Sequence, residues 1–189
     1  MKDAKKIIEL QQQKVVAWHE KEYADDQEGF LKIVCDNHWM NFQLWHEEDK
    51  ARRDDMGFEY IYHAKRHIDR FNQARNNFVE AMDKSIYENL SPKEHTPINS
   101  ETPGMMIDRL SILSLKEYHM EEQTQRKEVD AEHIAQCRQK LAVIKAQIKQ
   151  LGECLQEFIS EIISGKRSFR VYYQFKMYND PTLNPQLYN

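Results

Sequence analysis

Asn41, Trp45, Glu48 and Arg52 follow one another at spacings of four, three and four, which on a helix puts an amide, an indole, a carboxylate and a guanidinium on one face. That face continues the apolar stripe of Leu31, Val34 and Phe42, so these groups point where a core belongs. On a plain surface helix Glu48 and Arg52 would instead form an i,i+4 pair worth only about 0.3–0.5 kcal/mol. A second set, Asp69, Asn72, Asn76 and Asp83, flanks the stripe of Ile68, Phe71, Phe78 and Met82, and Arg75 falls inside that stripe. A guanidinium cannot stay buried without a carboxylate or an anionic ligand. Arg75 therefore belongs either to a salt-bridge layer that ties helices together or to a ligand pocket.

A third set opens at Glu101-Thr102-Pro103-Gly104 and runs through Asp108, Arg109, Ser111 and Lys116. A helix start with free N–H groups beside a glycine is an anion site, and Arg109 lies within its first two turns. The bland alternative is a capped helix whose Glu101 complements its own dipole. Asp108, Arg109 and Lys116 nevertheless sit on an otherwise apolar helix, which favours a buried polar site. Other motifs carry less. His63 and His67 have metal-pair spacing without a third ligand, and no metal or cofactor is expected. Glu47, Glu48, Asp49, Glu80 and Asp83 resemble the magnesium carboxylates of all-helical nucleotide pyrophosphohydrolases, in a looser pattern. Gly165-Lys166-Arg167-Ser168 is no P-loop, and its basic residues complement a helix end. No GxSxG occurs, and no Cys-His pair has a recognisable spacing.

These residues need long helices to position them. The 189-residue chain is 31% charged with a mean hydropathy of -0.84, and no apolar run approaches a membrane span or a signal peptide. Its compartment is expected to be the cytoplasm. A formal charge of -4 argues against a nucleic-acid coat. Five glycines and five prolines, with no proline before Pro92 or between Pro103 and Pro181, exclude barrels, sandwiches and dinucleotide-binding loops. Cys35, Cys137 and Cys154 lack disulfide or zinc spacing and read as reduced core thiols.

Ile134, Cys137, Leu141, Ile144, Ile148, Leu151, Leu155, Phe158 and Ile162 form a heptad seam on a helix from about Glu128 to Ser164, stopped by Gly165. A rod of about 55 Å is not stable alone and must lie along other helices or a second subunit. Thr102 as N-cap and Pro103 open another helix, apolar nearly all round and so placed mid-bundle. The stripe from Ile61 to Ile86 marks a further helix, the stripe from Phe30 to Trp45 one that runs on through Arg52, and Ile7 to Trp18 an opening helix ending near Ala24-Asp25-Asp26. The joints are Arg53 to Met56 and the Asn89 to Ser100 loop. Tyr172, Tyr173, Phe175, Tyr178 and Tyr188 make residues 165–189 a strap across the bundle, with turns at Asp180-Pro181 and Asn184-Pro185. The expected fold is all-α: a single domain, 1–189, built as an elongated antiparallel bundle of about five helices.

The blocks NFQLWHEEDKAR, KRHIDRFNQARNNFVEAMD, NSETPGMMIDRLSILSLKEYHM and VYYQFKMYNDPTLNPQLY, in this order, resemble the domain of unknown function 4254 family. The likeness runs from about Ile33 to the last tyrosine and leaves out the opening helix and the Asp54 to Tyr60 joint. It implies a cytoplasmic, all-helical, stand-alone bacterial protein, chiefly from Bacteroidetes, loosely associated with cell-envelope polysaccharide genes. It carries no catalytic assignment. Trp45, Glu48, Asp49 and Arg52 fall in its first block, Asp69, Asn72, Arg75 and Asn76 in its second, Glu101 to Gly104, Asp108, Arg109 and Lys116 in its third, and Lys176, Tyr178, Asn179 and Asp180 in its last.

The leading expectation is that the three sets converge on one intra-bundle cavity for a small anionic metabolite such as a sugar phosphate or nucleotide sugar. Arg52, Arg75 and Arg109 would neutralise it, Thr102 to Gly104 donate N–H groups and Trp45 stack on it, with Glu48 or Asp108 the acid/base candidate for any chemistry. The rivals are a scaffold or partner-binding protein, self-associating or not, that uses the heptad helix, and a magnesium-dependent phosphohydrolase.

Overall fold

A computed structural model describes residues 3–21, 27–93 and 95–188. Five helices dominate: α1 (Ala4–Glu20), α2 (Gly29–Lys50), α3 (Phe58–Leu90), α4 (Pro103–Thr124) and α5 (Ala131–Ser164). A strand pair, β1 (Ile98–Asn99) and β2 (Ser168–Phe169), runs parallel. The helix signals act where local chemistry puts them. The Thr102 hydroxyl accepts the Met105 N–H with Pro103 behind it, and Gly165 ends α5 at φ +68°. Asp130 caps α5 through the His133 N–H, so that helix starts slightly later than expected. The opening helix stops at Glu20, and the proposed end at Ala24-Asp25-Asp26 lies outside the described residues.

Side-chain pairs give the helix directions. Asn37 reaches Arg75 while Glu47 reaches His67, so α2 and α3 are antiparallel. Asp83 meets Thr102 while Arg75 faces Asp108, which makes α3 and α4 antiparallel too. α5 lies antiparallel to α4, with Lys145 against Glu121 and Phe158 near Met106. α1 and α2 run alongside α4 in its own direction: Gln11 bonds to Ile107 and His19 stacks on Tyr118, while Asn37 bonds to Asp108 and Trp45 stacks on His119.

α4 packs against all four other helices, as its apolar circumference demands. Ile107 and Leu110 are fully buried at the centre of a core that includes Ile7, Val34, Met82, Ile86, Leu155 and Ile159. The α5 seam faces this core with Cys137, Leu141, Ile144, Ile148, Leu155, Phe158 and Ile162 buried. Cys35 and Cys137 are core thiols, but Cys154 is exposed, because it precedes the seam position Leu155 by one residue and so points away from the core.

The tail starts inside and ends outside. Phe169 is buried against Tyr87 and Phe158, after which the chain crosses α3, where the Gln174 N–H donates to Glu80 and the Asn179 amide donates to Gln73. Tyr172, Tyr173, Phe175, Tyr178 and Tyr188 stay exposed. Asp180 and Asn184 accept the backbone bonds of the two turns.

Candidate functional site

The polar residues of α2, α3 and α4 form a layer through the bundle. His38 is fully buried and its two ring nitrogens are spoken for: Nε2–H donates to the Gln11 carbonyl at 2.9 Å, so Nδ1 accepts from the Ser111 hydroxyl at 2.7 Å. Burial holds the His38 pKa down at about 3, despite the Gln11 bond, which works the other way. The Ser111 oxygen also accepts from the Asn41 amide at 2.9 Å, and that amide's second hydrogen goes to Asp108 Oδ1, again at 2.9 Å. Asn37 donates to the same Asp108 oxygen at 2.9 Å.

Arg75 closes the layer. Its Nε lies 3.8 Å from Asp108 Oδ1, too far for a hydrogen bond, and is buried without a hydrogen-bond partner among the described residues. About a quarter of the side chain (27%) is exposed. Lys176 of the tail is held below the ordinary lysine range by burial first and by the Arg75 charge second, with Asp69 opposing. Two cations therefore share this stretch of surface.

Cavities flank the Arg75–Asp108 contact. One, of about 290 Å³, is lined by Asn41, Leu44, Trp45, Glu48, Asp49, Arg52, Arg75, Ile112 and Leu115. The other, of about 460 Å³, is lined by Asn76, Val79, Ser100, Glu101, Met105, Asp108, Arg109 and Gln174. The expected convergence on a single cavity is thus corrected. Trp45, Glu48 and Arg52 share a space with Arg75, whereas Glu101, Arg109 and Asn76 border the neighbouring one, and the Arg75 and Asp108 side chains meet between them.

Other expected members are engaged elsewhere. The Gly104 N–H donates to Asp83 Oδ1 at 2.7 Å and the Thr102 hydroxyl to Asp83 Oδ2 at 2.5 Å, so the α4 start already holds an anion, the protein's own carboxylate. A Cβ on Gly104 would come within 2.7 Å of that oxygen and of the Val79 carbonyl. Burial raises the Asp83 pKa to about 6, against the two hydrogen bonds that favour the carboxylate. Arg109 pairs with Glu101, and Arg52 with Glu48 at 2.7 Å on exposed side chains. Asp69 pairs with Arg66 at 2.6 Å, Asn72 is half-buried and lines neither cavity, and Lys116 is exposed and lines neither.

Of the carboxylates considered for magnesium, Glu48 and Asp49 line one cavity, with Glu48 on Arg52, whereas Glu47 faces Lys50 and His67, Asp83 holds the start of α4 and Glu80 takes the tail N–H. His63 lies 3.9 Å from Glu59 on the surface, and His67, four residues on, faces Glu47. A different set has metal-ligand geometry: His19, His46 and His119, from three helices, have ligand atoms within 4.8 Å of one another. Burial lowers the pKa of His46, helped by the neighbouring histidines, and lowers that of His119 against its bond to Glu122. Sequence reasoning also passed over Asn37 and His38. Their signal was a polar pair among the apolar residues Val34, Cys35 and Phe42 on the buried face of α2.

The family described as "Protein of unknown function (DUF4254)" matches residues 31–171, three quarters of the chain. The match takes in Asn37, Asn41, Arg75 and Asp108 but ends before most of the fourth block, whose likeness to the family it does not extend to. No match was found among curated proteins or among solved structures. The chain belongs to the DUF4254 family.

Proposed function

We propose that the protein binds a small anionic metabolite, of the class of sugar phosphates or nucleotide sugars, with its phosphate at Arg75. One observation carries this reading: an arginine whose buried Nε–H has no acceptor among the described residues, held short of Asp108 beside a cavity, with Lys176 close enough to feel its charge. A phosphate oxygen at this position would satisfy the donor and neutralise the Arg75 charge, in the geometry arginine is suited to. Trp45 offers a ring face to the sugar or base, since His119 covers the other at 4.6 Å and 8°. The two cavities, about 290 and 460 Å³, fall near the usual range of roughly 300–1,000 Å³ for small-molecule sites.

The site is a binding site in this reading. Asp108 Oδ1 is occupied by two amide donors and Glu48 by Arg52, so neither is assigned proton transfer. A cytoplasmic location is part of this reading, with Cys35, Cys137 and Cys154 read as reduced thiols. A role in bacterial cell-envelope polysaccharide metabolism suits the ligand class and rests on the family likeness.

The test is a thermal-shift panel of inorganic phosphate, glucose 6-phosphate and UDP-glucose against wild type and Arg75→Met. A ligand at about 100 times its Kd adds about 2.7 kcal/mol, several degrees for a chain of this size. The expected result is a shift in wild type that is lost in Arg75→Met. No shift at millimolar ligand, with Arg75→Met/Arg109→Met as stable as wild type or more so, would leave a structural polar layer and favour the scaffold.

A further inference from the structure

We propose that His19, His46 and His119 form a three-histidine site for one divalent transition-metal ion of the zinc class. The histidines adjoin the anion cavity, since His119 stacks on Trp45, which lines it, but the case for a metal does not rest on anion binding. His19 comes from α1, His46 from α2 and His119 from α4, so the tertiary fold assembles the set.

Hydrogen bonds fix which nitrogens can ligate. His19 Nδ1 lies 2.8 Å from the Val15 carbonyl, which can only accept, so Nδ1 carries the proton and Nε2 presents its lone pair. His119 Nδ1 lies 2.8 Å from Glu122 Oε2, which by the same logic leaves Nε2 as the free base. Both Nε2 atoms are buried with no hydrogen-bond partner among the described residues. Leaving two buried acceptors unsatisfied is costly unless something binds them. The His119–Glu122 pair is the carboxylate–histidine arrangement that orients metal-ligating imidazoles.

The rings are held in place. His19 stacks on Tyr118 at 4.2 Å, His119 stacks on Trp45 at 4.6 Å, and His46 packs edge-on to Phe42 at 4.6 Å. Tetrahedral zinc at about 2.0–2.1 Å from each nitrogen would set the nitrogens roughly 3.3 Å apart. One ring nitrogen of each histidine already lies within 4.8 Å of one on each of the other two, so small side-chain rotations about these packed positions bring the set to zinc distance. Three imidazoles leave a fourth position open, and the ligand type favours zinc, nickel, copper or iron over magnesium or calcium. Asp49, one turn after His46, supplies negative charge felt by both His46 and His119.

The full-length protein, stripped with EDTA and dialysed, is titrated calorimetrically with Zn²⁺ and, separately, with Mg²⁺. The expected result is one Zn²⁺ per chain, no Mg²⁺ binding, and visible ligand-field absorption from four-coordinate Co²⁺. His46→Ala should weaken Zn²⁺ binding about 100-fold or more, and Glu122→Gln about 10-fold, within the range for losing an outer-shell partner. Glu122 is half-exposed, so its replacement keeps the proposal testable where a histidine variant fails to fold. Absence of stoichiometric Zn²⁺ binding would overturn the proposal, and so would binding of unchanged strength in both His46→Ala and Glu122→Gln. A spectroscopically silent Co²⁺ complex would count against it in the same way.

Discussion

Arg75 stops 3.8 Å short of Asp108, while two amides, from Asn37 and Asn41, approach the same Asp108 oxygen to 2.9 Å. Asp108 is therefore held chiefly by neutral donors on α2, and the charge of Arg75 is less than fully spent inside the protein. A structural salt bridge between α3 and α4 would put the guanidinium where the amides are.

That arrangement separates two substitutions. Asp108→Asn keeps an acceptor for Asn37 and Asn41 and should cost about 1 kcal/mol, whereas Asp108→Ala leaves both amides without it and should cost about 2–4 kcal/mol. Urea denaturation at pH 7 checks the order. Equal losses would mean that the charge, not the acceptor, is what the layer requires.

Acid stability is a contest between two buried groups. His38 is neutral in the fold with its pKa near 3, so between about pH 6.5 and 3 the unfolded chain binds more protons and stability falls as pH drops. Asp83 is raised from 3.8 to about 6, so in that window the folded chain binds more protons and stability rises as pH drops. Asp83→Asn removes the opposing contribution. Its stability should fall more steeply than that of wild type between pH 6 and 4, measured by denaturant midpoints at half-unit steps, and parallel profiles would refute the assignment.

Two glycines make contrasting helix crossings. At Gly104 an added Cβ meets the Val79 carbonyl at 2.7 Å, and backbone cannot yield, so Gly104→Ala should lose about 1–3 kcal/mol as α3 and α4 are forced apart. At Gly152 the obstacle is the tip of Ile8, 2.6 Å away, which can rotate. Gly152→Ala gains up to about 1 kcal/mol of helix propensity against that repacking and should come out near neutral. Thermal melts of the two variants test the contrast.

The helices were legible because their signals are local. Thr102-Pro103 and Gly165 dictate an end by backbone chemistry, and the α5 seam dictates which side is buried. Trp45, Glu48 and Arg52 were legible as a group because they are close in sequence, although α2 ends at Lys50 and leaves Arg52 in the turn just past it rather than on the helix. What the sequence hid depends on distant partners. Asp83 filling the start of α4 follows from how α3 crosses α4, and nothing around Asp83 or Gly104 announces it. The three histidines are hidden more deeply, because each comes from a different helix and His19 lies outside the residues the family shares.

Cys154 offers a direct check on that seam. Cys35 and Cys137 are buried, and Cys154 faces solvent one position before Leu155. Thiol reagents attack the accessible thiolate, so the folded protein should titrate one thiol rapidly with a disulfide-exchange reagent and three after denaturation. Cys154→Ser should abolish the rapid phase with little change in melting temperature, since it removes no core contact. A rapid phase that survives would place Cys35 of α2 or Cys137 of α5 at the surface, and the second case requires α5 to be rotated on its axis with its heptad residues facing somewhere other than α4.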